Sequence, residues 1–193
     1  MAQLLILISG GIGSGKSVVG AAQRARGVVV NDADAIGHAL LEPGGAASGE
    51  VSLRWPTVVV DGKIDRRELG RVVFGDSGEL VALEAITHPM IAPEIGRQVK
   101  ALGDVPVALE YPLLGSSFGP EWIRIVVDAP DDVRVARLLE RGKTEDEISG
   151  RMAAQPSRGA WLAAADHVID NSGDLEALDE AVKAALQPIL SGS

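Results

Sequence analysis

The chain of 193 residues contains no cysteine. That excludes a disulfide framework, a thiolate zinc site and a cysteine nucleophile. Aromatic residues make up only 3%, so the core must be packed from Val, Leu, Ile and Ala. There are 3 histidines; they are scattered and lack carboxylates at ligand spacing, which argues against a metal cluster. Positive charge is short as well: 18 Lys and Arg face 27 Asp and Glu, for a net charge of −9. Nucleic-acid binders ordinarily carry the reverse balance, so no nucleic-acid partner is expected. No apolar run nears the ~18 residues of a membrane span. The N-terminus shows no basic region leading into a short apolar stretch, so neither a signal peptide nor a membrane partner is expected. A cytoplasmic protein is the default, and nothing in the pattern speaks to oligomeric state.

What is present begins at the N-terminus. Leu4-Leu5-Ile6-Leu7-Ile8 is a continuous apolar run, as in a strand buried on both faces. It leads into Gly10-Gly11-Ile12-Gly13-Ser14-Gly15-Lys16-Ser17, which fits the phosphate-cradling pattern G-x-x-x-x-G-K-[ST]. Val18 and the residues after it open a helix. The residue types suit the chemistry. Backbone N–H groups can approach polyphosphate oxygens only where side chains are absent, and a helix N-terminus adds partial positive charge. Gly11 to Val18 are therefore the candidate nucleotide-binding residues. Lys16 is placed to reach the β- and γ-phosphates and the Ser17 hydroxyl to hold Mg2+. The implied ligands are a polyphosphate and Mg2+.

Further along, Val28-Val29-Val30 reads as a second strand ending at Asn31-Asp32-Ala33-Asp34. Ligands of open α/β sheets bind outside the carboxyl ends of strands. Asp34 is therefore a candidate base for an attacking hydroxyl, or a cap for the helix Ala35–Leu41. Asp32 is a candidate ligand or metal-shell residue. A Gly-rich stretch from Glu42 to Gly49 leaves the sheet, and helical pieces follow to about Gly103. Asp65 caps one of these pieces. Another spans Glu79 to Thr87 and breaks at His88-Pro89, and a third runs from about Ala92 to Leu102. Such an insertion can close over an acceptor. Within it, Arg66 either pairs with an anionic substrate or lies solvated, and His88 is either a helix-end residue or a substrate contact.

The strand Val105–Glu110 places Glu110 on the ligand side, where an acid can orient magnesium-bound water. A fourth strand, Ile123–Asp128, leads to a helix capped by Asp131 or Asp132. That helix carries Arg134, Arg137 and Arg141, with the last two four apart on one face. Thr144-Glu145-Asp146-Glu147 is a capping box for the next helix. Two helices joined by a basic turn suit a phosphate-clamping lid, since arginine binds phosphate oxygens bidentately and stays charged. A last strand, His167–Asp170, precedes a closing helix from Asp174 to about Leu186 that Pro188 stops. These pieces partition one domain, residues 1–193, into a core (about 1–41, 104–133 and 160–193), a helical acceptor-binding insertion (about 42–103) and a lid (about 134–159).

The order of these pieces resembles the dephospho-coenzyme A kinase family nearly end to end. The matching residues are the glycine loop, Asp32-Ala33-Asp34, Gly62-Lys63-Ile64-Asp65-Arg66, Val73-Phe74, Leu83 to Pro89, Pro112-Leu113-Leu114, Arg137 to Arg141, Gln155 and Ala165 to Asn171. The resemblance implies a P-loop NTPase-type α/β fold with a parallel five-stranded sheet and helices on both faces. It implies transfer of a phosphoryl group from ATP to the ribose 3′-hydroxyl of dephospho-coenzyme A. Asp34 then matches the base, Lys16 the phosphate lysine, and Arg137 and Arg141 the lid arginines. Pro112 and Leu113 join Asp32, Asp34, Arg66, His88 and Glu110 as substrate contacts. Gly115-Ser116 stands where the family usually has Phe-Glu. The alternatives are a kinase of another small alcohol, a sugar or nucleoside, and a non-catalytic nucleotide-binding regulator. A guanine-nucleotide switch is disfavoured, because no Asn-Lys-x-Asp motif occurs.

Overall fold

The computed structural model describes residues 3–112, 114, 119 and 121–191. They form two compact units, residues 1–31 with 103–193, and residues 32–102. The expected substrate contact Leu113, and Gly115-Ser116, lie outside the described residues.

The first unit is built on a sheet whose strands are β1 (Leu5–Ser9), β2 (Val29–Asp32), β5 (Val107–Glu110), β6 (Trp122–Asp128) and β7 (His167–Asp170). Their order is β2-β5-β1-β6-β7, and β1 runs parallel to both β5 and β6, as β6 does to β7. Alternation along the strands explains the unbroken apolar runs. Ile6, Ile8, Ala108, Ile125, Val127 and Ile169 share one face and pack against Val19 of α1 (Lys16–Arg24) and Leu178, Val182, Leu186 and Ile189 of α9 (Leu175–Ser191). Leu7, Leu109 and Val126 point the other way and are equally buried. A sheet buried on both faces needs apolar side chains at every position. The buried polar exceptions on that second face are Ser9 and Arg124. Arg124 is 8% exposed and donates from Nη1 to Ser9 Oγ at 2.9 Å. Burial pushes the Arg124 guanidinium down from its ordinary value, and burial raises the neighbouring Tyr111 hydroxyl.

The remaining helices of this unit are α6 (Asp131–Glu140), α7 (Glu145–Ala153) and α8 (Arg158–Ala163). The expected capping box opens α7: Thr144 Oγ1 accepts from Glu147 N at 3.3 Å, and Glu147 returns the bond to Thr144 N at 3.0 Å. That backbone N–H, with Lys143 nearby, holds the Glu147 carboxyl below its usual value. Three expectations are corrected here. Neither Asp131 nor Asp132 caps α6; Pro130 occupies the cap, and Asp131 inside the first turn pairs with Arg134 at 2.9 Å. Pro188 does not stop α9, which continues to Ser191. Its apolar positions extend to Ile189, 8% exposed on the sheet, and that burial outweighs the lost hydrogen bond of one proline. The six-residue helix α8, with Ser157 as its cap, is additional to the expected elements.

The second unit holds α2 (Ala33–Leu41), α3 (Ser48–Arg54), the hairpin of β3 (Val59–Val60) and β4 (Lys63–Ile64), α4 (Arg66–Gly75) and α5 (Ser77–Ala101). Helix α2 belongs here rather than with the sheet, because Leu40 and Leu41 pack with Val51, Trp55, Leu69, Val73 and α5 residues in one apolar cluster. Asp65 caps α4 as expected, accepting from Arg67 N and Glu68 N. The expected break at His88-Pro89 is absent: α5 is one helix of 25 residues with Pro89 and Pro93 inside it. Its face, including Leu80, Leu83, Ile86, Met90 and Ile91, joins the cluster continuously. That packing offsets the ~3 kcal/mol local cost of a helical proline. The β3–β4 hairpin turns on Asp61 and Gly62, with φ of 49° and 75°. This is the left-handed pair that an Asp-Gly dipeptide supplies.

Candidate functional site

Strand β1 delivers the chain into the glycine loop, and Gly15 begins α1 in the left-handed region with φ 97° and no side-chain cap. A helix start capped by no side chain leaves its N-terminal dipole directed at whatever enters the loop. Two conditions require glycine at position 15: the positive φ, and the Asn171 carboxamide, which a Cβ there would strike. Lys16 folds back over the loop, donating from Nζ to Gly10 O at 2.8 Å and Gly11 O at 3.3 Å. Ser17 is exposed in the first turn of α1, as a metal-holding hydroxyl must be.

The loop is held by three side chains from distant elements. Arg134, 6% exposed on α6, donates from Nε to Ile12 O at 2.8 Å and pairs through Nη1 with Asp131. Its guanidinium fills the space a Cβ on Gly11 would need. Asn171, 5% exposed after β7, donates from Nδ2 to Ser14 O at 2.7 Å. Gln155, between α7 and α8, accepts the Ile12 N–H on Oε1 at 2.8 Å. The Ile12 N–H is therefore engaged by protein, as is the Ser14 N–H, which donates to Gly11 O at 3.2 Å.

A groove of about 180 Å³ lies beside the loop, lined by Gly15, Val18, Arg137, Arg141, Asn171 and Gly173 among others. Arg137 is half-buried, and its Nη1 is buried with no hydrogen-bond partner. The groove is also lined by Asp174, and a buried guanidinium donor left orphaned in it is costly unless an acceptor completes it. Arg141 is exposed at the end of α6. The basic segment of the sequence thus separates into distinct tasks. Arg137 and Arg141 line the groove, and Arg134 braces the loop. Arg158 is committed to Asp128 by a bidentate pair of 2.9 and 2.6 Å, which raises the Arg158 guanidinium.

Glu110 ends β5. It lies 3.9 Å from Arg24 and packs where a side chain on Gly20 of α1 would otherwise sit. Pro112 follows, half-buried. In the second unit, Asp32 is the cap of α2, accepting from Asp34 N at 2.9 Å. Of the two alternatives for Asp34, base or cap, the cap is overturned: Asp34 is in the first turn of α2, exposed, and Asp32 is the cap. Arg66 at the start of α4 and His88 within α5 are both exposed, and His88 does not end a helix. Among the described residues no cluster of His, Cys, Asp and Glu could hold a metal, and no helix is long and apolar enough to cross a membrane.

Sequence reasoning assigned no role to Asn171, Gln155 or Arg134 in holding the loop. Their partners are 157, 143 and 122 residues away, and no local pattern carries such pairings.

The sequence profile of the family described as dephospho-CoA kinase matches residues 4–177. A dephospho-CoA kinase of Aromatoleum aromaticum is 41% identical over 180 residues, covering 90% of this chain and 88% of the relative. One of Frankia casuarinae is 38% identical over 189 residues, covering 95% and 82%. A crystal structure from Thermus thermophilus matches with a TM-score of 0.82 at 35% identity, covering 97% of this chain and 98% of that one. A shikimate kinase from Acinetobacter baumannii, at 14% identity and a TM-score of 0.55 over 100% of this chain and 96% of its own, shares the fold alone.

Proposed function

This chain belongs to the dephospho-CoA kinase family of ATP-dependent kinases, and we propose which of its residues carry the transfer of the ATP γ-phosphoryl group to the ribose 3′-hydroxyl of dephospho-coenzyme A. The loop from Gly13 to Ser17 and the start of α1 bind the polyphosphate. Lys16 leaves the Gly10 and Gly11 carbonyls to meet the β- and γ-phosphates. Arg137 and Arg141 neutralise charge as it builds on the equatorial oxygens of the transferred group. Asp34 accepts the proton of the attacking hydroxyl. The hard, exposed oxygen of Ser17 suits Mg2+, which when bound supplies further neutralisation of the β- and γ-oxygens. Glu110 orients water around that site. Residues 32–102 hold the acceptor through Asp32, Arg66 and His88, aided by Pro112 and Leu113, and residues 134–159 close as a lid. The protein acts in the cytoplasm, on small-molecule substrates and without nucleic acid.

The observation that carries this reading is the unpartnered Arg137 Nη1 in the same groove as Gly15. An anion at the loop completes that donor. The test is direct: purified protein, Mg-ATP and dephospho-coenzyme A, with the product followed by mass. A gain of one phosphate on the acceptor is expected. Transfer to a sugar or nucleoside instead would refute the acceptor assignment, and ATP binding without transfer to any acceptor would refute the reading as a whole.

A further inference from the structure

The Ile12 residue is gripped on both sides. Its carbonyl accepts from Arg134 Nε, and its N–H donates to Gln155 Oε1, each at 2.8 Å. The two grips differ in what stands behind them. Arg134 is buried in the first half of α6 and locked to Asp131. Gln155 is two residues past the end of α7 and two before Ser157, which caps α8. Helix α8 is itself anchored, by the Arg158–Asp128 pair and by Trp161, 2% exposed. Gln155 is therefore at the joint where the α6–α7 hairpin meets a fixed point of the core. That hairpin carries Arg137 and Arg141, which line the groove beside Gly15.

We propose that Gln155 is a positioning residue that couples the arginine-bearing hairpin to the phosphate loop. Movement of α7 relative to α8 displaces the Gln155 carboxamide, and the carboxamide carries the Ile12 peptide with it. The Ile12 carbonyl is held by Arg134 of α6, the other arm of the same hairpin, so a shift of the hairpin turns the peptides between Gly11 and Gly13 from both sides. The donors after Ile12 then reach their phosphate-binding arrangement only when the hairpin is in place. This inference rests on the reading of Arg137 and Arg141 as phosphate ligands.

A double-mutant cycle separates coupling from a passive strut. The variants are Gln155→Ala, Arg141→Ala and both together, assayed for kcat/KM with ATP at saturating dephospho-coenzyme A, with Tm measured alongside. Gln155→Met, of similar length but without an acceptor, repeats the cycle if the alanine variant is poorly folded. Gln155→Ala is expected to lose about tenfold, the scale of one hydrogen bond. In the Arg141→Ala background the same change is expected to lose less than about threefold, because a hairpin that grips phosphate through Arg137 alone has less to transmit. Losses that multiply fully overturn the coupling, as does an unaltered kcat/KM for Gln155→Ala. If Arg141→Ala alone leaves kcat/KM unchanged, the underlying lid-arginine reading fails instead.

Discussion

Asn171 offers the sharpest test of how the phosphate loop is held. Its Nδ2 donates to Ser14 O at 2.7 Å, its backbone N–H donates to Asp128 O at 2.8 Å, and it is 5% exposed. Asn171→Ala removes a buried donor and leaves the Ser14 carbonyl without it, at a cost of about 1–3 kcal/mol. For a chain of this size, about 2 kcal/mol lowers Tm by roughly 4–8 °C. Asn171→Asp discriminates further. It keeps the shape, but replaces the donor with a carboxylate facing a carbonyl oxygen, so its Tm falls at least as far. It also places negative charge in the groove with Arg137 and Arg141. The introduced carboxylate attracts the unpartnered Arg137 Nη1 and repels the incoming triphosphate. ATP affinity by calorimetry should therefore weaken on the order of tenfold to a hundredfold beyond the alanine variant. If Asn171→Asp binds ATP as tightly as Asn171→Ala does, the groove is not where the phosphates lie, and the reasoning from Arg137 fails with it.

Lys16→Ala should lower kcat by ~10²–10³, or ~3–4 kcal/mol, with circular dichroism unchanged; wild-type turnover removes Lys16 from the reaction. Asp34→Asn should leave ATP binding intact while depressing transfer, since the exposed Asp34 carboxylate makes no cap bond; an undiminished kcat excludes it as the base. Thr144→Ala deletes the acceptor half of the α7 capping box and should cost ~1 kcal/mol, read as faster amide exchange at Glu147. Glu147 sits below its usual value in the folded protein, so its contribution is present above the unfolded carboxyl pKa of ~4.3 and is lost as pH falls below that. Exchange protection of the Thr144 amide should follow the same acid titration and be insensitive to pH between 6 and 8 on the same scale.

The elements legible in advance were those whose cause is local. Leu4 to Ile8 is an unbroken apolar run and lies almost wholly in the strand Leu5–Ser9, and Gly10 to Ser17 carries the glycines that a tight turn into a helix needs. The Thr144–Glu147 cap and the Asp65 cap follow from side chains three residues from their partners. The misread boundaries lie where packing overrode a local preference. Pro89, Pro93 and Pro188 each oppose a helix, yet α5 and α9 continue because Met90 and Ile91, partly buried, pack against one apolar cluster and Ile189 is buried in the other. The Asp61-Gly62 hairpin was not expected, because strands of two residues are too short to show alternation.

Sequence alone determined the glycine loop, its lysine and the helix that starts behind them, because those depend on neighbours along the chain. Only the tertiary structure decided who holds that loop. Arg134, Gln155 and Asn171 arrive from three elements, and their hydrogen bonds are chosen by distance in space, which a linear pattern does not encode. It also decided that Arg134 and Arg158 are spent on protein partners while, among the described residues, Arg137 keeps a buried Nη1 without one. Charge in a sequence counts the arginines; burial and geometry assign them.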